Sequence, residues 1–409
     1  MLGRGSVIFL CALALLAIGV VMVNSAQMRI EPVSEAPSPT AEVAADPVTL
    51  PAILRSREAI YAGVALGVLI FVSRLPAGWL DRPASMSQRH RWTLVTALAA
   101  ALVCVLLAVY LPGIGKAVNG AHRWIRAPLI GQFQPSELAK WSIVPLLVWT
   151  TVGVRARPET LRGAMVPLVL LAMVTAIIVL EDLGTAVLIA GAGTMVLVAA
   201  GLRLWLVGAV AALSAPLLSL AVLTSAYRVD RVVTFIDPFN DPRGEGYHLI
   251  QSLATIGGGG LFGRGLGSGL QKFGYLPEDR TDFLFAVVCE ELGLAGAALV
   301  CCIYVLLFAA LSGVVRRATT PARRLFAFGV LVMLTGQTLI NLFVVTGLGP
   351  TKGIALPLMS AGGTGWVLIA AALGAVIAID RETTPDAAVS HPEEDAAMAN
   401  RRAATIHPA

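Results

Sequence analysis

Ten runs of about 18 or more apolar residues recur along the chain, near 6–24, 59–76, 92–112, 137–153, 163–180, 184–201, 204–226, 283–311, 324–347 and 364–379, each close to the length a helix needs to cross a bilayer core. In lipid the backbone must satisfy its own hydrogen bonds, so such runs are expected to be helices. With 57% of 409 residues hydrophobic, 13% charged and a mean hydropathy of +0.80, the chain is too apolar for a soluble multidomain protein. The expected fold is an all-α polytopic membrane protein of about ten transmembrane helices spanning 1–380. Residues 28–57, rich in Pro and Ala, are expected to form a flexible external loop, and 381–409 a disordered tail.

Orientation follows from the cations in the connections. With an inner N-terminus, the inner side receives Arg4, Arg74, Arg82, Arg89, Arg91, Arg155, Arg157, Arg162, Arg203, Arg316, Arg317, Arg323 and Arg324. The short outer connections hold fewer: Arg29, Arg55, Arg57, Lys116, Arg123, Arg126 and Lys352. The bias puts both termini in the cytoplasm. The net charge of +5 then reflects topology, and no basic tract with interleaved aromatics points to nucleic acid. Arg4 followed by an apolar core and Asn24-Ser25-Ala26 also resembles a signal peptide, but the core is longer than usual, so a retained first helix is expected. Cys11, Cys104, Cys289, Cys301 and Cys302 all lie in apolar segments, and the five histidines are scattered. No disulfide framework, protein-built metal site or cofactor is expected from them, and a divalent cation is left open.

One long polar interruption, 228–282, separates the seventh and eighth apolar segments, on the outer side. It is dense in groups able to do chemistry, among them Arg231, His248, Lys272 and Asp282. Within it, the glycine-rich stretch 256–269 lacks the strand context of a dinucleotide fingerprint and the Gly-Lys-Ser/Thr of a nucleotide loop. Flanked by Arg264 and Lys272, it is open to holding an anion such as a diphosphate, or to being a re-entrant segment. Asp282 has two readings: a helix cap together with Thr281, or a carboxylate held for proton abstraction at the outer interface.

Elsewhere, Gln134-Pro135-Ser136-Glu137 has the grammar of a helix start. Lys140 follows three residues on, on the same face, and an ionisable group at the membrane edge needs a partner. Glu181 and Asp182 fall in a tight turn, where Asp182 either caps the next helix or serves a site. The irregular stretch 347–365 is tolerable at membrane depth where it lines a cavity in the protein.

These motifs together resemble the SEDS family (shape, elongation, division and sporulation proteins), the FtsW and RodA group of bacterial peptidoglycan polymerases. The resemblance is carried by HRWI at 122–125, FQPSELAK at 133–140, DLGTA at 182–186, GYHLIQSLATIG at 246–257, GGLFGRGLGSGLQK at 259–272, YLPEDRTDFLFAVVCEELG at 275–293 and PTKGIALPLMSAGGTG at 350–365. QKFGYLPE, EELG and PTKG lean towards the FtsW branch. The resemblance implies a ten-helix membrane protein of the bacterial plasma (inner) membrane that polymerises lipid II, an undecaprenyl-diphosphate-linked disaccharide pentapeptide, during cell division or wall synthesis. By it, Asp282 matches the essential aspartate proposed as general base, and Glu137 and Lys140 match the acid and lysine near the cavity floor. Arg123, Arg231, Arg264 and Lys272 are candidates to bind the leaving diphosphate, with Asp182 and His248 as further substrate-binding residues. A class B penicillin-binding transpeptidase is the implied partner. Two motifs depart from the family pattern: Leu180 and Glu181 stand where Gln and Pro are usual, and 360–365 reads SAGGTG. Two other classes remain as alternatives, a lipid II flippase and a non-catalytic divisome scaffold. Against the flippase stand the absence of an inverted repeat in the helix pattern and the concentration of polar groups on the outer side.

Overall fold

The structure, a computed structural model, describes residues 3–26, 50–118, 121–127, 131–152, 159–224, 226–242, 244–269 and 281–383. Each of the ten apolar segments forms a helix: α1 (Arg4–Ala26), α2 (Arg57–Arg74), α3 (Gln88–Leu107), α4 (Pro135–Thr151), α5 (Leu161–Glu181), α6 (Leu183–Ala199), α7 (Leu204–Leu223) and, after the polar interruption, α10 (Leu284–Arg317), α11 (Pro321–Val345) and α12 (Thr364–Thr383). Six of them, α1, α3, α5, α10, α11 and α12, are long and apolar enough to cross a membrane, which makes this a multi-pass membrane protein. Of the expected external loop, 28–49 lies outside the described residues, as does the tail beyond Thr383.

Side-chain caps mark several of the starts: Ser56, Ser87, Thr160, Asp182 and Thr320 accept from the backbone N–H three residues on, at the heads of α2, α3, α5, α6 and α11. Helices in lipid associate through close packing instead of water exclusion, so small residues sit where backbones approach. A Cβ on Gly374 of α12 would stand 2.8 Å from the Leu69 carbonyl of α2, and one on Gly19 of α1 would stand 2.6 Å from the Met359 carbonyl. The first helix is accordingly part of the core, with Ile8, Leu15 and Val23 fully buried.

The all-α expectation needs two additions. First, 115–133 forms a three-stranded antiparallel sheet, β1 (Gly115–Val118), β2 (Ala121–Ala127) and β3 (Gly131–Phe133), in the order β1-β2-β3. The register pairs Gly115 with Ile125 and Ile125 with Phe133. Second, the polar interruption is itself largely helical, with α8 (Ala226–Ile236) and α9 (Glu245–Gly258). In α8, Val229, Val232, Val233 and Ile236 recur at i, i+3, i+4 and i+7 between charged residues, a surface-helix pattern that the surrounding polarity masks.

α10 is broken at Gly293, whose φ of 67° and ψ of −166° lie outside the helical region. The break frees the carbonyls of Glu290 and Glu291 and the N–H groups of Leu294 and Ala295. The glycine-rich stretch takes up all four. Arg264 N and Gly265 N donate to Glu290 O and Glu291 O at 2.9 and 3.0 Å, and Leu294 N and Ala295 N donate to Gly260 O and Leu261 O at 3.0 and 3.1 Å. This exchange requires backbone contact that side chains would prevent: a Cβ on Gly259 would lie 1.8 Å from the Cys289 carbonyl, and one on Gly263 would lie 2.2 Å from that of Glu291. The glycines therefore serve the closure of a broken helix.

Candidate active site

Between the sheet, the turn joining α5 and α6, and the irregular segment 350–362 lies an open cavity of about 760 Å³. Its floor is set by α4, where Pro135 opens the helix and Glu137 and Lys140 share a face one turn apart. The Lys140 ammonium is 2% exposed, 2.7 Å from Glu137 Oε1, and donates to Gln337 Oε1 at 2.8 Å. A cation this deeply buried demands such partners.

The turn before α6 supplies Asp182. Asp182 caps the helix, its carboxylate accepting from Thr185 N at 3.0 Å and Thr185 Oγ1 at 2.7 Å, and the residue also lines the cavity. Glu181, in the sequence only a turn residue and a departure from the family pattern, ties the sheet to this turn. Its carboxylate accepts from Tyr110 Oη at 2.9 Å and His122 N at 2.7 Å, and its carbonyl accepts from Arg123 Nε at 2.9 Å. The guanidinium of Arg123 is thereby fixed in the cavity wall.

The remaining wall is non-helical backbone, and its carbonyls are satisfied by side chains from surrounding helices. Arg231 Nη1 donates to Thr351 O at 3.1 Å, Asn341 Nδ2 to Ile354 O at 2.7 Å, Gln337 Nε2 to Ala355 O at 2.7 Å and Tyr304 Oη to Pro357 O at 2.5 Å. Asp282 sits in the turn leading into α10. Phe283, not Thr281 or Asp282, occupies the cap position, and it makes no side-chain capping bond. The Asp282 backbone carbonyl accepts from Asn341 Nδ2 at 2.8 Å. Its carboxylate lies against Gly353, where a Cβ would stand 3.1 Å from Oδ2. His248, from α9, stacks on Phe283 with ring centroids 6.1 Å apart and planes at 13°.

Seven of the sequence-derived candidates therefore meet around one cavity: Arg123, Glu137, Lys140, Asp182, Arg231, His248 and Asp282. Arg264 is not among the lining residues; its Nε donates to Gly258 O at 3.1 Å and lies 3.8 Å from the buried Glu290 carboxylate. Lys272 lies outside the described residues. Gln337, Asn341 and Lys352 were not singled out for the site from sequence. The signal for the first two was Gln337, Thr338 and Asn341 at i, i+1 and i+4 in an apolar helix, which marks an inward polar face. Chemically, the cavity is lined by a carboxylate, Asp282, and by the cations Arg123, Arg231 and Lys352. It can therefore accept a proton and hold an anion in one enclosure. Among the described residues, no group of three or more His, Cys, Asp or Glu side chains is placed to hold a metal ion.

Comparison with known proteins identifies the family. The family model for the FtsW/RodA/SpoVE group, described as cell cycle protein, matches residues 5–385. A protein of Thioalkalivibrio sulfidiphilus named "Probable peptidoglycan glycosyltransferase FtsW" is 36% identical over 384 residues, covering 91% of this chain and 88% of its own length. A Geobacter sulfurreducens protein of the same name is 33% identical over 377 residues, covering 91% and 94%. Among solved structures, a chain from work on the structural coordination of polymerization and crosslinking by a peptidoglycan synthase complex superposes with a TM-score of 0.67 at 28% identity, covering 93% of this chain and 98% of its own. The rod shape determining protein RodA of Thermus thermophilus superposes with a TM-score of 0.59 at 27% identity, covering 93% and 97%. With a match running nearly end to end and the motif residues gathered at one cavity, this chain belongs to the FtsW/RodA/SpoVE family of cell cycle proteins.

Proposed function

We propose that the protein is a peptidoglycan glycosyltransferase that polymerises lipid II, with Asp282 as general base. The observation that carries the reading is the gathering of Asp282, Arg123, Arg231 and Lys352 around one cavity of about 760 Å³. A sugar hydroxyl is a weak nucleophile, and a carboxylate within hydrogen-bond reach contributes about 10²- to 10⁴-fold by taking its proton. As the 4-hydroxyl oxygen of one disaccharide bonds to the anomeric carbon of another, the bond from that carbon to the diphosphate breaks. The electron pair leaves with the diphosphate, and the hydroxyl proton passes to Asp282. Arginine and lysine side chains hold the departing charge. Because a diphosphate leaves without being protonated, one carboxylate suffices, unlike the paired acids of glycoside hydrolysis.

The cation bias of the connections supports cytoplasmic termini in the bacterial inner membrane, which opens the cavity to the outer side where wall is built. The likeness to a chain from a peptidoglycan synthase complex that coordinates polymerization and crosslinking supports a class B penicillin-binding transpeptidase as partner. A divalent cation would act on the substrate's own diphosphate.

The test is polymerisation of labelled lipid II by the full chain purified with its transpeptidase partner, comparing wild type with Asp282→Ala. Glycan strands from wild type, and a loss of at least about 100-fold in the variant, are expected. Transfer of lipid II across vesicles without polymer would replace this reading with a flippase, and equal activity of the two proteins would remove Asp282 from the chemistry.

A further inference from the structure

Behind the cavity wall lies a polar group that the mechanism above leaves without a task. Asn341 is 1% exposed near the C-terminal end of an apolar helix, α11. A neutral amide in such a place costs free energy unless its hydrogen-bonding capacity is used. Its Nδ2 spends both N–H groups on two carbonyls far apart in sequence, Asp282 O at 2.8 Å and Ile354 O at 2.7 Å. One carbonyl belongs to the turn that carries the carboxylate, and the other to the irregular wall facing it. The residue before Ile354 is Gly353, the place where Asp282 Oδ2 packs so closely that a Cβ would stand 3.1 Å away. A single planar amide thus sets both the position of the carboxylate's own backbone and that of the surface it rests on.

The rest of the segment is held with less economy. Gln337, one turn away on α11, ties Ala355 O and accepts from Lys140, but neither of its bonds reaches the Asp282 turn. That turn is also irregular, with Phe283 making no side-chain cap, so the Asn341 bond stands where a cap would otherwise fix the geometry. We infer that Asn341 is a positioning residue for the reaction: it clamps the 281–283 turn to the 353–355 wall and so holds the Asp282 carboxylate at the distance from the sugar hydroxyl that proton transfer requires. The inference rests on the proposed role of Asp282.

Positioning predicts a distinct kinetic signature. Loss of the clamp leaves the cations and the cavity floor in place, so substrate still binds. The carboxylate, released by a fraction of an ångström to about one, loses on the order of 10- to 100-fold in turnover. The experiment uses the full chain with its transpeptidase partner and labelled lipid II, and measures KM and kcat for wild type, Asp282→Asn, Asn341→Leu and Gly353→Ala. Asn341→Leu keeps the branched shape of the side chain, at a somewhat larger volume, and removes both donors, whereas Gly353→Ala keeps both donors and pushes on the carboxylate from the other side. The expected result is a kcat lower by about 10- to 100-fold in both, with KM within about twofold of wild type. If Asn341→Leu does not fold, Gly353→Ala decides alone. Wild-type kcat in the variants alongside an inactive Asp282→Asn overturns the clamp and leaves the base in place. A KM rise that accounts for the whole loss, or a fall in the fraction of protein able to bind lipid II that does so, assigns Asn341 to the fold and also overturns it. An active Asp282→Asn overturns the base, and the clamp with it.

Discussion

At the scale of the residue, the decisive groups are ionisable side chains placed where water is scarce. Lys140 is 2% exposed and shares its charge with Glu137 at 2.7 Å. Removing only the lysine leaves a carboxylate without its counter-ion, a change that costs about 3 kcal/mol in a buried pair. Lys140→Met is therefore expected to lower the denaturation midpoint in detergent, and adding Glu137→Gln to it should restore part of the loss. A double variant less stable than Lys140→Met would show that the pair is not what holds this corner. Glu181 acts at one remove, through Arg123. Glu181→Ala removes the carboxylate's bonds to Tyr110 and His122 and keeps the backbone bond to Arg123, which loosens the sheet strand that carries Arg123; since the substrate's diphosphate is charged before it reacts, the loss should fall mainly on KM. One or two hydrogen bonds of about 1 kcal/mol each correspond to a rise in KM for lipid II of roughly fivefold to thirtyfold; a pure kcat effect would contradict this placement of Arg123. Glu137 and Lys140 were legible in the sequence because a charge within an apolar helix demands a partner. Gln337 and Asn341 were harder to see, because a neutral amide in such a helix announces no charge to be balanced. Arg264 and the glycines beside it pointed to an anion cradle, yet the same small residues are what a broken helix needs when another backbone closes on it.

At the scale of the element, the exchange of hydrogen bonds between 260–265 and the break in α10 explains why a glycine run stands in a membrane protein. The space around each glycine distinguishes two kinds. A Cβ on Gly263 would meet the Glu291 carbonyl at 2.2 Å and force a φ of 78° on a residue with a side chain, whereas one on Gly257 of α9 meets nothing within 4 Å. Gly263→Ala should cost at least about 2 kcal/mol through strain and lost pairing, while Gly257→Ala should be neutral or stabilise by up to about 1 kcal/mol from helix propensity. Thermal unfolding in detergent separates the two, and equal midpoints would contradict the exchange. The long apolar helices were legible because length and composition settle them. The amphipathic α8 and the strands β1 to β3 were not, since their short periodic patterns sit inside polar stretches whose character is dominated by charge and by glycine.

At the scale of the whole molecule, the two ends of the bundle divide the work. The cavity end holds the irregular backbone and the site. At the other end, Arg323 bridges Asp81 at 2.7 Å and Glu382 at 2.8 Å, and the Ala77 N–H donates to the same Glu382, so the start of α11 and the end of α12 are joined there to the connection that follows α2. Arg323→Ala should lower the denaturation midpoint while leaving kcat and KM for lipid II near wild type; a large loss of turnover in a fully folded variant would show that the two ends are coupled. The family likeness over residues 5–385 was readable from ordered motifs, but their convergence on one cavity is a property of the folded chain, because α4, the α5–α6 turn, α10 and α11 meet only in space. The central claim is that Asp282 takes the proton of the attacking hydroxyl within that cavity. The most direct test is the single-turnover rate of Asp282→Asn with lipid II already bound, since this variant keeps the shape of the side chain and removes its charge. The account predicts unchanged lipid II binding with a rate at least about 100-fold below wild type; polymer formed at the wild-type rate would contradict it.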